Sequence, residues 1–98
     1  MRETEKQYIE DFKTYLSVEK NFSEHTLSAY TSDIVSYILW LDNVSCVNVD
    51  FTKLREYLHF IQRFEYQKTT IARKVAAIRT FYKFLFRERY IDTNPAVS

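Results

Sequence analysis

Apolar residues recur along the chain at the spacing of amphipathic α-helices. The first set lies within residues 4–19 and falls on one face of a helix, because its members are separated by three or four positions. That set comprises Tyr8, Phe12, Tyr15 and Leu16, with Ile9 beside them. Asn21 follows, and asparagine tolerates the left-handed backbone conformation in which helices often end. The sequence therefore predicts a first helix over residues 4–19 that ends near Asn21.

A second helix is predicted over residues 24–41. Ser23 precedes it and can cap its N-terminus, with Phe22 packed against the first turn. The apolar stripe of this helix is Leu27, Tyr30, Ile34, Ile38 and Leu41, with Tyr37 alongside. Residues 42–50 then mix β-branched residues with Asn and Asp, which indicates an extended connection. Cys46 lies in this connection and is expected to be half-buried.

Two further helices are predicted in the second half of the chain. One covers residues 52–64 and is capped by Asp50 or Thr52. Its buried face is Leu54, Tyr57, Leu58, Ile61 and Phe64. The last covers residues 68–90 and ends before Pro95, which cannot continue a helix. Its core stripe is Ile71, Val75, Ile78, Tyr82 and Leu85.

Four helices with short connections indicate an all-α bundle of one domain. The 98 residues include no Gly and one Pro, which leaves little turn chemistry for β-hairpins. Additional apolar positions, expected to pack under the first helix or the 42–50 connection, are Trp40, Ala77, Phe81 and Phe84. The longest apolar run is too short to cross a bilayer. One cysteine and a polar N-terminus that does not resemble a signal peptide indicate a reducing compartment, the cytoplasm.

Charge is distributed unevenly, although the formal net charge is only +1. Residues 1–62 carry six Lys or Arg and ten Asp or Glu, whereas residues 63–98 carry eight and three. The segment 66–87 holds six basic residues and no acidic one. Such an asymmetry favours a surface that binds an anionic partner.

The basic residues of the last predicted helix form a stripe opposite its core face. At about 100° per residue, the outward positions are Thr69, Arg73, Ala76, Thr80, Lys83 and Arg87. Lys74 and Arg79 flank this stripe, and the lateral position of Arg79 also suits an ion pair between helices. A solvated helix normally combines acids with bases, and this one lacks acids until Glu88. Phosphate binding would offset the repulsion, because neutralised phosphates release counterions.

The outward face of the second predicted helix is small and uncharged. Its residues are His25, Ser28, Ala29, Ser32 and Ser36. Exposed helical positions normally favour longer polar residues, so this face suits contact with DNA or another subunit, or packing on a neighbouring helix. Ser23 and Thr26 can offer hydroxyls and backbone N–H groups to a phosphate at the start of this helix. Thr69 and Thr70 can do the same at the start of the last one.

The sequence contains no recognisable catalytic constellation. Without Gly it has no phosphate-binding loop, and His25 and His59 lack metal-ligand spacing. Its acidic pairs, interpreted as solvated helix surface, are Glu3 with Glu5 and Glu10 with Asp11. No cofactor, metal or small-molecule substrate is therefore expected.

Two segments resemble Xer-type tyrosine recombinases and phage integrases. The first, "FSEHTLSAYTSDI", matches the family's second-helix signature at Ser23, Thr26, Tyr30 and Asp33. The second, "TTIARKVAAIRTFYKFLFRERYIDTNPA", is similar to the family's fourth helix and exit. Its matching residues are Ile71, Ala72, Arg73, Arg79, Phe81, Tyr82, Phe84, Leu85, Asn94, Pro95 and Ala96. The resemblance covers essentially the whole chain, although "FEYQKTT" replaces the Gly-containing link that the family commonly has before the fourth helix.

The resemblance implies the N-terminal core-binding domain of such a recombinase, a compact four-helix SAM-like bundle with room for a short extra helical turn. In the family this domain is one half of a clamp around duplex DNA. A C-terminal domain cuts the DNA through a tyrosine nucleophile, without a metal or an energy cofactor. Residues 1–92 would be the DNA-binding domain, and residues 93–98 would begin the linker to a catalytic domain that this chain lacks. None of the eight Tyr is then a candidate for the nucleophile, and other recombinase subunits on the DNA are expected partners.

In the family the second and fourth helices face the DNA, which agrees with the two outward faces. The expected base contacts, in or along a major groove, are Thr69, Arg73 and Lys74. The expected backbone contacts are Lys68, Lys83, Arg87, Ser23 and His25. The remaining expected interface residues are Thr26, Ser28, Ala29, Ser32, Thr70 and Thr80. The alternative is a helical protein-interaction module whose basic face binds an acidic partner.

Overall fold

The computed structural model describes residues 1–97, and all of their regular secondary structure is helical. The first helix, α1, covers Glu3–Thr14, and a π-helical turn over Tyr15–Glu19 continues it. Asn21 then takes a positive φ of 54°, the left-handed conformation that asparagine tolerates. The predicted first helix and its end at Asn21 are confirmed.

The second helix, α2, covers Glu24–Leu41 and begins at the predicted cap. The Ser23 hydroxyl accepts the backbone N–H of Thr26 at 3.2 Å, which satisfies one of the donors that a helix start leaves without a partner. The connection that follows contains a short 3₁₀ turn over Cys46–Asn48, where an extended connection was predicted.

Two helices complete the bundle: α3 over Phe51–Ile61 and α4 over Lys68–Arg87. Of the two caps proposed for α3, Asp50 is the one used, and its carboxylate accepts the backbone N–H of Lys53 at 2.8 Å. The all-α fold class with four helices and short extra helical turns is confirmed for residues 1–97. None of these helices combines the length and the apolar character that crossing a membrane would require.

Both α3 and α4 end three residues earlier than predicted. After Ile61 the backbone N–H of Phe64 returns to the Ile61 carbonyl at 3.3 Å, which forms a tight turn. Phe64 therefore leaves the buried face on which it was placed, and 47% of it is exposed. At the end of α4, Arg89 takes a positive φ of 63°, and the backbone N–H of Tyr90 bonds the Leu85 carbonyl at 2.9 Å.

Aromatic rings form the centre of the core between α1 and α4. Phe12 is fully buried and lies 5.1 Å from the ring of Phe81 and 5.6 Å from that of Phe84. The expected packing of Phe81 and Phe84 on the first helix is confirmed. The prediction for Trp40 is wrong, because its ring packs on α3, 5.1 Å from Tyr57.

The N-terminus is fastened to the α2–α3 connection by a buried glutamate. Glu5 is 1% exposed and accepts the backbone N–H of Cys46 at 2.9 Å. The Arg2 guanidinium donates to the Asn43 carbonyl at 2.7 Å. The prediction that Glu5 lies on a solvated helix surface is therefore wrong. Glu5 is buried because the connection folds back over the first turn of α1.

A chain of buried hydroxyl groups holds the same connection from the other side. The Tyr82 hydroxyl donates to the Cys46 carbonyl at 2.9 Å and lies 2.6 Å from the Tyr37 hydroxyl. Cys46 has no exposed surface, so the expectation that it is half-buried is wrong. Burial among apolar groups raises the pKa of its thiol to about 12.

We expect Cys46 to resist thiol reagents until the protein opens. The thiolate is the reactive form, and the folded protein disfavours it by excluding water from the sulfur. Labelling with a disulfide reagent at pH 8 should therefore follow the rate of unfolding and accelerate sharply in urea. Because the pKa is raised on folding, the thiol's contribution to stability is complete below the pKa of the unfolded cysteine and is lost as the pH rises towards 12. Rapid stoichiometric labelling without denaturant would contradict the buried position.

Candidate nucleic-acid interface

The outward stripe of α4 lies on the surface with graded exposure. Thr69, Lys83 and Arg87 are exposed, whereas Arg73, Ala76 and Thr80 are half-buried. The Thr80 hydroxyl donates to the Ala76 carbonyl at 2.8 Å, so its proton is used within the helix. The two ends of the stripe are therefore accessible. Between Arg73 and Lys83 the stripe carries only the small side chains of Ala76 and Thr80.

The buried face of α4 is rotated from the predicted core stripe towards Lys74 and Phe81. Ile78, Tyr82 and Leu85 are buried as predicted, but Ile71 and Val75 are only half-buried. The buried residues of α4 are Lys74, Ala77, Ile78, Phe81, Tyr82, Phe84 and Leu85. The rotation arises because α1 packs on the side of α4 that carries Phe81 and Phe84.

The outward face of α2 is exposed, as its composition suggested. His25, Ser28, Ser32 and Ser36 are exposed, and Ala29 is half-buried. The groups at the helix starts are less available than predicted, because the Thr26 N–H donates to Ser23 Oγ and the Ser23 hydroxyl donates to Thr26 Oγ1. At the start of α4, the Thr70 N–H donates to the Gln67 carbonyl at 3.0 Å. The backbone N–H groups of Thr26 and Thr70 are therefore not free to bind a phosphate.

A buried carboxylate of α2 binds two basic residues of α4. Asp33 of α2 is 2% exposed and accepts two hydrogen bonds from Arg73 of α4, at 2.8 Å from Nε and 3.0 Å from Nη2. Lys74 Nζ donates to the same carboxylate at 3.1 Å. The hydrogen bonds to Asp33 raise the pKa of Arg73. Helices α2 and α4 are therefore joined by a fixed ion cluster, which we call the Asp33 cluster: Asp33, Arg73 and Lys74.

The prediction that Lys74 flanks the stripe on the exposed surface is wrong. Lys74 is 8% exposed, and its ammonium lies between Asp33 and the ring of Tyr66, 5.1 Å from the ring centroid. Desolvation of Lys74 is compensated by the carboxylate, so the side chain stays inside the bundle. Arg79 was expected to suit an ion pair between helices. Within residues 1–97, Arg73 and Lys74 form the ion pairs between α4 and α2 instead.

A second ion pair occupies the C-terminal end of the stripe. Arg87 donates two hydrogen bonds to Glu19 in the π-helical turn, at 2.9 and 3.0 Å, and its guanidinium lies 4.6 Å from the Tyr15 ring centroid. The bond to Arg87 lowers the pKa of Glu19, and the same contact raises the pKa of Arg87. The acids missing from α4 are thus supplied by other elements. This leaves Lys68, Arg79 and Lys83 as exposed cations of α4 that form no ion pair with the acids of residues 1–97.

Comparison with known protein families decides what kind of domain carries this surface. A family model described as "Phage integrase, N-terminal SAM-like domain" matches residues 9–89, from the middle of α1 to just beyond α4. The chain belongs to this family. The resemblance inferred from the α2 and α4 segments is confirmed.

Relatives of this phage integrase SAM-like domain are named tyrosine recombinases. The tyrosine recombinase XerC of Listeria innocua is 38% identical over 87 residues, which are 86% of this chain and 29% of the relative. XerC of Syntrophus aciditrophicus is 35% identical, over 89% of this chain and 31% of the relative. XerD of Chlorobaculum tepidum is 33% identical, over 90% of this chain and 30% of the relative. The chain spans about a third of the length of these relatives.

Proposed function

We propose that this phage integrase SAM-like domain binds duplex DNA as the N-terminal half of a clamp in a site-specific tyrosine recombinase. The observation that carries the proposal is the placement of Lys68, Arg79 and Lys83, which are exposed along one helix without acidic partners in residues 1–97. Helix α2 carries a separate exposed face of small, mostly uncharged side chains. The names of the relatives supply the reaction class.

The basic residues of α4 and the small residues of α2 would contribute to DNA binding in different ways. Exposed Lys and Arg side chains neutralise phosphates and release counterions, which provides affinity for any duplex. Small residues such as Ser28 and Ser32 on α2, and Ala76 on α4, allow the backbone of each helix to approach the DNA closely. The expected partners are duplex DNA and further subunits of the recombinase, in the cytoplasm.

Strand cleavage is assigned to a catalytic domain beyond residues 93–98, which would begin the linker, with residues 1–92 as the DNA-binding domain. The tyrosines of the core support this assignment. Tyr37, Tyr57 and Tyr82 are buried, and burial raises the pKa of each phenol, that of Tyr57 to about 12. A buried, protonated phenol cannot reach and attack a phosphodiester, so these residues have a structural role.

Salt-dependent binding to duplex DNA tests the proposal. For the wild-type protein, the logarithm of the association constant should fall linearly with the logarithm of the salt concentration. Lys83→Ala removes one free cation and should lower the slope by about 0.9. Arg87→Ala should lower it less, because Glu19 already pairs with that guanidinium. Fluorescence anisotropy of a labelled duplex, titrated at several salt concentrations, measures the slope for the wild type and for each variant.

Arg55 provides the matched control, since it is an exposed arginine on α3, outside the proposed face. Arg55→Ala should leave the slope close to that of the wild type. Equal effects of Arg55→Ala and Lys83→Ala would show that the attraction is unspecific and would contradict the proposed face. The alternative function, a protein-interaction module, would be favoured by a protein that binds no duplex at low salt and instead copurifies with an acidic protein.

A further inference from the structure

The Arg73 guanidinium is held by one edge only. Its Nε and Nη2 atoms donate to the two carboxylate oxygens of Asp33, in a bidentate pair with bonds of 2.8 and 3.0 Å. A guanidinium is planar and carries five N–H donors, so this pair leaves a second edge, formed by Nη1 and the outer N–H of Nη2. The side chain is 39% exposed. Within residues 1–97, Nη1 has no hydrogen-bond acceptor.

The carboxylate that holds this arginine is itself fixed. Asp33 is 2% exposed, and the buried ammonium of Lys74 bonds its Oδ1 atom at 3.1 Å. Lys74 is in turn covered by the Tyr66 ring. Rotation of the carboxylate would break three charge-assisted hydrogen bonds at once. The plane of the Arg73 guanidinium is therefore set before any partner binds, which removes part of the entropic cost of binding through the free edge.

The surroundings of the free edge favour a base over a phosphate. The Asp33 carboxylate lies directly against the guanidinium and is shared with Lys74, so the Asp33 cluster keeps a net charge of +1 and Asp33 offsets only part of the attraction of Arg73 for an anion. Directional hydrogen bonding through the free edge is the property that Arg73 adds to this charge. A guanine presents two neutral acceptors, O6 and N7, in the major groove, and their spacing matches two N–H groups of an arginine. Ala76, one turn further along α4, leaves room for the helix to approach the groove.

We propose that Asp33 is a positioning residue for Arg73, and that it presents the free edge of the guanidinium to a guanine in the major groove. The inference rests on the proposed function, because it requires a duplex against α4. It extends that function by naming one base and by separating the residue that contacts it from the residue that orients the contact. Asp33 does not touch the DNA.

The test ranks duplexes from a randomised library by their binding to the wild-type protein and to variants. The wild type should prefer guanine at one position by about tenfold. Arg73→Lys keeps the charge but not the planar fork, and should lose that preference. Asp33→Asn should lose the same preference at the same position, because the guanidinium is no longer oriented. Lys83→Ala is the matched control and should weaken all duplexes alike without changing their order.

A double variant tests whether Asp33 acts by orienting Arg73 or only by stabilising the fold. If Asp33 acts through Arg73, then Asp33→Asn added to Arg73→Lys should cause no further loss of guanine preference. If Asp33→Asn proves unfolded by circular dichroism, Asp33→Glu keeps the charge and displaces it by one methylene, and the preference should still fall.

Three results would overturn the inference. One is an unchanged order of duplexes for the Asp33 variants, and another is a uniform loss of affinity for all duplexes alongside a lower melting temperature. The third is a wild-type protein that binds duplexes without any preference for guanine, which would leave the proposed function intact. A wild-type protein that binds no duplex at low salt would remove the proposed function and the inference together.

Discussion

Phe12→Ala is expected to lower the free energy of unfolding by about 3–5 kcal/mol. Phe12 has no exposed surface, and its ring contacts Phe81 and Phe84, so truncation removes an aromatic contact between α1 and α4 and leaves a cavity in the core. Domains of this size are typically stable by about 5–15 kcal/mol, so the variant should be marginally folded. Urea denaturation followed by circular dichroism at 222 nm measures the loss.

Val18 provides a control from the same part of the chain. It lies in the π-helical turn that follows α1 and is 74% exposed. Val18→Ala should change the free energy of unfolding by no more than about 0.5 kcal/mol. Similar losses for Phe12→Ala and Val18→Ala would show that α1 does not dock on α4 through the Phe12 ring.

Asp33→Ala is expected to cost about 3 kcal/mol of stability. Removal of one partner from a buried ion pair is costly because it leaves the other charge without compensation. Here the uncompensated group is the Lys74 ammonium, which is almost fully buried, whereas Arg73 can turn its charge towards water. Because only one of the two cations stays buried, we expect a loss at the lower end of the usual range of about 3–5 kcal/mol. Thermal and urea unfolding should both show it.

The Lys74→Met substitution tests the cause of this loss. Methionine retains most of the volume of lysine and carries no charge, so in the Asp33→Ala background it removes the uncompensated ammonium. The double variant should therefore be more stable than Asp33→Ala alone. A double variant less stable than both single variants would indicate that packing around Asp33, and not charge, determines the stability.

Local signals in the sequence predicted the helices well. Ser23 caps α2, Asn21 ends the first helical segment and Asp50 caps α3, because each of these roles depends on a side chain and its own neighbouring backbone. Apart from the early ends of α3 and α4, which are set by local turns, the errors concern residues whose surroundings come from distant parts of the chain. Glu5 is buried because the α2–α3 connection folds over it, and a helical wheel contains no information about such a cover.

At the candidate site, too, local features were predicted and contacts with distant parts of the chain were not. Except for Lys74, the sequence identified which basic residues of α4 reach the surface, but it did not identify which of their charges are already compensated. Asp33 lies 40 positions from Arg73, and Glu19 lies 68 positions from Arg87. Periodicity within one helix cannot pair residues across such separations. The exposed cations could therefore be separated from the paired ones only once the packing of α2 and of the π-helical turn against α4 was known.

The π-helical turn also controls the register of the chain that follows it. The backbone N–H of Lys20 bonds the Tyr15 carbonyl five residues back, so this turn contains one residue more than an α-helical turn would. Deletion of one residue here would let Lys20 bond the Tyr15 carbonyl as the fourth residue of an ordinary α-helical turn, so the chain that follows would keep nearly the same orientation. Deletion of one residue should therefore be tolerated better in this turn than within the regular helix Glu3–Thr14, where it would rotate all following residues by about 100°.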